Sequence, residues 1–155
     1  MPATRLHLVS DWHLKAPLER VWAELSHPDD WPAWWRAVKR VEMVAPGDGT
    51  GIGAVRNFTW GTALPYQLHF EMTATRVEPM TLLEGRARGE LDGTGLWTLE
   101  PEAEGTHVRY EWNIDVTVPW QVALAPLLRP VFAWNHNVVM GWGEADLKTR
   151  LAQTR

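Results

Sequence analysis

The sequence predicts an α+β fold in which a curved antiparallel sheet of about seven strands, in the order β-α-α-β6-α, wraps around a long C-terminal helix. Three observations predict it. Residues 5–14 alternate as a half-buried strand does and are followed by two short helical segments rich in tryptophan and proline. Between Lys39 and Val118 a series of alternating runs is divided by turn residues, the texture of an antiparallel meander with one wet and one dry face. The tail from Pro119 is too long and too weakly alternating for a strand and reads as a helix.

In the first strand Leu6, Leu8, Ser10, Trp12 and Leu14 alternate with Arg5, His7, Val9, Asp11 and His13. The segment KAPLERVWAELSHPDDW follows, with Pro17 suited to a helix start and Val21, Trp22 and Leu25 on one face. That helix must stop before Pro28, and Asp29 or Asp30 can cap a second short helix carrying WPAWWRAV. VKRVEMVA is the next strand, and the glycine-rich PGDGTG is a hairpin turn, since it leads into a strand and not a helix. Ile52, Ala54, Arg56, Phe58 and Trp60 then share one face. So do Tyr66, Leu68, Phe70 and Met72, and likewise Thr81, Leu83, Gly85, Ala87 and Gly89. Glu84, Arg86, Arg88 and Glu90 form the solvated row opposite. LDGTG reads as a turn before LWTLEP, and EAEGT as another before the last strand, with Val108, Tyr110, Trp112 and Ile114 inward. The terminal helix is expected to bend or break at Pro126 or Pro130. Apolar residues surround its axis between Val122 and Trp142, which means burial on several sides or contact with a partner.

With 155 residues and 45% apolar content the chain fits one domain, residues 1–155, able to bury a sizeable core. A net charge of −4 with no run of Lys or Arg longer than two argues against nucleic acid as a partner. The absence of cysteine removes disulfides, thiolate metal sites and cysteine nucleophiles. No secretory leader pattern and no apolar stretch of ~18 residues is present, so a cytoplasmic location without stable membrane insertion is expected.

The element order, together with APLERVWAELSHPDDWPAWW after the first strand, GTHVRYEWNIDV in the last strand and WNHNVVMGWGEADLKTRLA in the tail, resembles the helix-grip fold of the START-like, or SRPBCC, superfamily. The tail is similar to that of its bacterial polyketide cyclase/dehydrase-like branch. The resemblance implies a deep apolar cavity between sheet and long helix, used by different members to bind lipids, sterols, polyketides or hormones, sometimes with catalysis.

The residues leave three readings open. In the first, a small hydrophobic molecule, aromatic, polycyclic or lipid-like, is bound without a cofactor. Trp34, Trp35, Trp60, Trp97, Trp112 and Trp134 then offer aromatic walls beside Phe70, while Arg56, Tyr66 and Asn135 supply polar contacts. In the second, a polyketide cyclase or dehydratase, Arg56 holds an enolate or carboxylate while His136 or Tyr66 moves protons. In the third, a partner-binding or stress-response module, the tryptophans fill the core. A homodimer through Trp31, Trp34 and Trp35 with Trp134 and Trp142 is a further use of so much indole. An inward Arg56 needs a carboxylate or carbonyl, from the protein or from a ligand. His7, His13 and Asp11 share the wet face without metal-ligand spacing, so no metal is expected.

Overall fold

The computed structural model describes residues 5–153. Strand β1 (Arg5–Leu14) leads into α1 (Leu18–Leu25), a 3-10 turn (Pro28–Asp30) and α2 (Trp31–Trp34). Strands β2 (Val38–Ala45), β3 (Val55–Gly61), β4 (Gln67–Glu78), β5 (Leu82–Gly89), β6 (Leu91–Glu102) and β7 (Gly105–Val116) follow, then α3 (Pro119–Ala123) and α4 (Ala125–Gln153). The seven strands form one antiparallel sheet in the order β1-β7-β6-β5-β4-β3-β2. Register shifts at Val38/Arg40, Met43/Ala45 and Ala74/Arg76 are the irregularities by which such a sheet bends.

Alternation sets which face is dry. Leu6, Trp12 and Leu14 of β1 are buried between exposed Arg5, His7, Asp11 and His13. In β7, Val108, Tyr110, Trp112, Ile114 and Val116 are buried in strict alternation. Helix α1 buries Val21, Trp22 and Leu25, the three residues its spacing puts together. Asp30 occupies the cap position of α2 but makes no side-chain capping bond.

Helix α4 lies on the dry face and is pinned along its length. Arg129 donates to the Arg5 carbonyl, Trp35 Nε1 to the Val139 carbonyl (3.1 Å), and Arg36 forms a bidentate pair with Asp146. Arg150 meets Glu24 at 2.6 Å, and Arg20 donates to the Leu151 carbonyl. Close approach needs Gly143: a Cβ there would stand 2.6 Å from the Trp35 ring and 2.7 Å from Trp12. A helical glycine costs about 1 kcal/mol against alanine, here offset by seating the helix on two indoles.

One expected turn is absent, whereas the terminal helix breaks beside a proline expected to break it. LDGTG is not a turn: residues 92–95 lie inside β6, and the chain reverses at Gly89 (φ +126°) and Glu90. Gly95 is small for space, because a Cβ there would lie 2.5 Å from the Tyr110 hydroxyl and 2.8 Å from the Trp112 ring. The terminal helix breaks at Leu124, just before Pro126, while Pro130 is carried inside α4. Nor do the tryptophans first read as a dimer face form one patch. Trp34 is buried, Trp142 lies under the Arg36 guanidinium (5.6 Å) and Trp134 stands exposed. The exposed apolar residues of this region are instead Trp120, Val122, Leu124 and Leu127, on α3 and the start of α4. No described helix is long and apolar enough to cross a membrane.

Candidate functional site

Between the dry face of the sheet and the N-terminal half of α4 lies a cavity of about 220 Å³. Its apolar wall includes Phe58 and Trp60 from β3, Phe70 from β4, Trp97 from β6, Trp112 from β7, and Phe132 and Met140 from α4. The inward row of small residues on β5 does not enlarge it much, since Met72 sulfur would sit 2.6 Å from a Cβ on Gly85. The small-against-large pattern is thus largely a fitted core, and the space that remains is compact. It lies just below the ~300–1,000 Å³ usual for drug-sized ligands.

WPAWW divides between core and cavity. Trp31 lines the cavity. Trp34 and Trp35, read in the sequence as mouth or wall residues, lie outside the lining: Trp34 stacks on Trp35 at 5.6 Å, and Trp35 is fully buried. Around Trp35 stand Trp60 (4.7 Å), Trp12 (5.4 Å), Trp31 (5.5 Å) and Trp97 (6.1 Å). Trp134, expected at the ligand, points away from the cavity and is 53% exposed. Helical spacing could not separate these faces, because apolar residues occur all round that segment.

Arg56 faces inward as its strand parity requires, and the protein supplies its carboxylate. Asp29 on the 3-10 turn accepts from Arg56 Nε at 3.0 Å and from Nη2 at 3.3 Å. The pair stands where the lining reaches the surface, near Pro28, Thr50 and Arg76. Arg56 is thus engaged and not a free anion anchor. The sequence offers Asp29 or Asp30 as a helix cap; Asp29 instead gives its carboxylate to Arg56. In a double-mutant cycle of Arg56→Ala and Asp29→Ala the coupling is expected at about 0.5–1 kcal/mol, for a bidentate pair half-open to water. Strict additivity would show that the pair is not formed in solution.

His136 also lines the cavity, yet both its ring nitrogens are buried without a hydrogen-bond partner. Burial pushes its pKa down to about 4; neighbouring Asn137 opposes the shift, but its contact lacks hydrogen-bond geometry. The imidazole is therefore neutral at pH 7, with its nitrogens sealed from the open space a proton-transfer partner would occupy. Tyr66 is half-buried on the lining, and its phenol is raised by burial and by the charge of Glu90. Asn135 is buried, and its Oδ1 accepts the Ala63 N–H at 2.8 Å, tying α4 to the β3–β4 loop. Residues missed by the sequence reading are Tyr110, whose phenol burial also pushes up, and Gln121 of α3, buried on the lining. Tyr110 was legible as inward from its strand parity; Gln121 carried no signal, since α3 is too short to show a periodicity.

On the wet face the His13 and His107 rings stack at 4.9 Å, with Asp11 and Glu100 on His107 and Glu102 on His13. His7 is not part of this group. Among the described residues no set of three His, Asp or Glu side chains is arranged to hold a metal ion.

The family model described as polyketide cyclase/dehydrase and lipid transport matches residues 5–153. The chain belongs to this family. Members of the START-like superfamily share its fold. A START superfamily protein from Mycobacterium smegmatis superposes with a TM-score of 0.76 at 10% identity, over 97% of this chain and 99% of that one. A protein from Thermus thermophilus gives 0.76 at 18% identity, over 97% and 100%. The Zhui aromatase/cyclase from Streptomyces sp. R1128 gives 0.75 at 12% identity, over 96% and 94%. At these identities the likeness is one of fold. No curated protein matches the sequence. The cyclase/dehydrase-like chain thus carries the helix-grip architecture, with α4 held against the sheet over an aromatic-walled cavity.

Proposed function

We propose that this protein binds a compact hydrophobic molecule, one to three rings in size, in the cavity between the sheet and α4. The observation that carries the reading is an apolar space of about 220 Å³ left open inside a cluster of buried aromatic rings. Such space is costly for a protein to leave empty, because unfilled volume forfeits packing. Binding is preferred to catalysis because the candidate proton-transfer groups do not converge. Arg56 is engaged by Asp29, and the His136 nitrogens are sealed. A cyclase or dehydratase activity on an aromatic polyketide-like substrate is the second reading. It is favoured by the family description and by the likeness to the Zhui aromatase/cyclase; Tyr66 is then the remaining proton-transfer candidate.

Native mass spectrometry beside a denatured control, with tryptophan emission followed during titration, tests the first reading. The expected results are a saturable quench by bicyclic compounds and a bound mass released on denaturation. No bound mass and no response across one- to three-ring compounds would overturn it. Turnover of a bound ring precursor, lost in Tyr66→Phe, would move the conclusion to the second reading.

A further inference from the structure

One end of the cavity differs chemically from the rest. Gln121 is 3% exposed and Asn135 6%, and both line the cavity with Tyr66. The Gln121 amide makes no hydrogen bond among the described residues, although its atoms are not sealed from the open space. Asn135 spends its Oδ1 on the Ala63 N–H, which fixes the amide orientation and leaves Nδ2 as a donor without a partner among the described residues. Buried polar groups are ordinarily satisfied, so the Gln121 amide and the Asn135 donor on one cavity call for an explanation.

Connectivity puts them at the same end. Asn135 holds Ala63 in the loop that carries Tyr66, where Thr62 Oγ1 donates to the Tyr66 carbonyl at 3.2 Å. Helix α3, which carries Gln121, follows β7, and the chain between them is tied to the β5–β6 turn: Thr117 N–H donates to the Glu90 carbonyl and its hydroxyl to the Gly89 carbonyl. Glu90 is the residue whose charge reaches Tyr66. The groups offered are therefore an amide donor, a whole amide and a phenol O–H. The charge that reaches Tyr66 is negative, and both guanidinium groups on the lining are paired, Arg56 with Asp29 and Arg76 with Glu78.

We infer that this end recognises an uncharged ring carbonyl, a cyclic ketone or quinone-type oxygen, with Gln121 as the residue that sets the preference, and that it rejects a carboxylate. The inference rests on the cavity-binding reading above and assigns its ligand class. A carbonyl oxygen accepts from Asn135 Nδ2 and from the Tyr66 or Gln121 donors. A carboxylate would bring a second negative charge beside Glu90 into a poorly hydrated space. A plain hydrocarbon would leave the donors unpaired.

The test uses three probes of one size, 1-tetralone, tetralin and 1-naphthoate, titrated by calorimetry and tryptophan quenching. Tetralone is expected to bind about ten-fold tighter than tetralin, with naphthoate weakest. Gln121→Leu should remove that preference by weakening tetralone and leaving tetralin unchanged or tighter; Tyr66→Phe, nearly isosteric, should reduce it in part. Equal binding of tetralone and tetralin to the wild-type protein, or tightest binding of naphthoate, overturns the carbonyl assignment while the cavity reading stands. A tetralone preference untouched by both substitutions overturns the role of this end. If none of the three binds, both the cavity reading and the ligand class fail.

Discussion

Trp35→Ala is expected to lower the unfolding free energy by about 3–5 kcal/mol, the range for truncating a buried tryptophan. The ring is fully buried, meets five other tryptophans counting Trp34, and seats Gly143 of α4. Its N–H is the hydrogen bond from α2 to the Val139 carbonyl, so the substitution removes ring contacts and a pin on α4 together. Set against a total stability of about 5–15 kcal/mol for a domain, that loss will show as a large fall in the urea midpoint. The control is Trp134→Ala, where half the ring already stands in solvent and the expected change is within about 0.5 kcal/mol. The sequence reading of Trp35 as a wall for a ligand expects the reverse order of effects: altered selectivity with little change in stability. Comparable small losses in both variants would overturn the structural assignment.

The contrast between these two tryptophans marks where sequence reading works. Period-2 alternation placed Leu6, Trp12, Phe58, Phe70, Tyr110 and Trp112 on the dry face because a strand offers only two directions, and turn residues divided the meander. It failed at Asp92–Gly95, where glycines chosen for close packing against Tyr110 and Trp112 have the composition of a turn. On α4 the apolar residues leave no polar side to orient the helix, so Trp134 and Asn135, adjacent in sequence, could not be told apart as outward and inward. Arg56 shows a third limit. Parity turned it inward, and charge logic demanded a carboxylate. That the carboxylate belongs to Asp29, across 27 residues, depends on how the 3-10 turn docks on β3, a tertiary fact without a local pattern.

His136 gives the second large expected effect, an acid-dependent loss of stability. Its folded-state pKa is depressed from the ordinary histidine value of 6.5 to about 4 by burial. Above pH 6.5 the imidazole is neutral in both folded and unfolded chains, and this histidine adds no pH dependence. As pH falls from 6.5 through 4, the unfolded chain takes up the proton first, and stability drops by about 3 kcal/mol. Other shifted groups act outside that window. His107, raised by hydrogen bonds to Glu100 and Asp11, contributes stability that is lost as pH rises through its raised pKa, the opposite direction. Asp146 feels burial as an upward push, but Arg36 outweighs it and holds the carboxyl below its ordinary value, so its contribution is lost only at lower pH. Tyr66 and Tyr110 are both raised and stay protonated throughout. Urea unfolding of wild type and His136→Leu between pH 7.5 and 4 isolates the effect. Leucine removes two buried nitrogens that have no partners, so the variant should match or exceed wild type at pH 7.5. Its advantage should then grow by about 3 kcal/mol on acidification. Parallel curves for the two proteins would mean that the His136 nitrogens reach water in the native state. The imidazole would then be open to the cavity, and its place among the proton-transfer candidates would be restored.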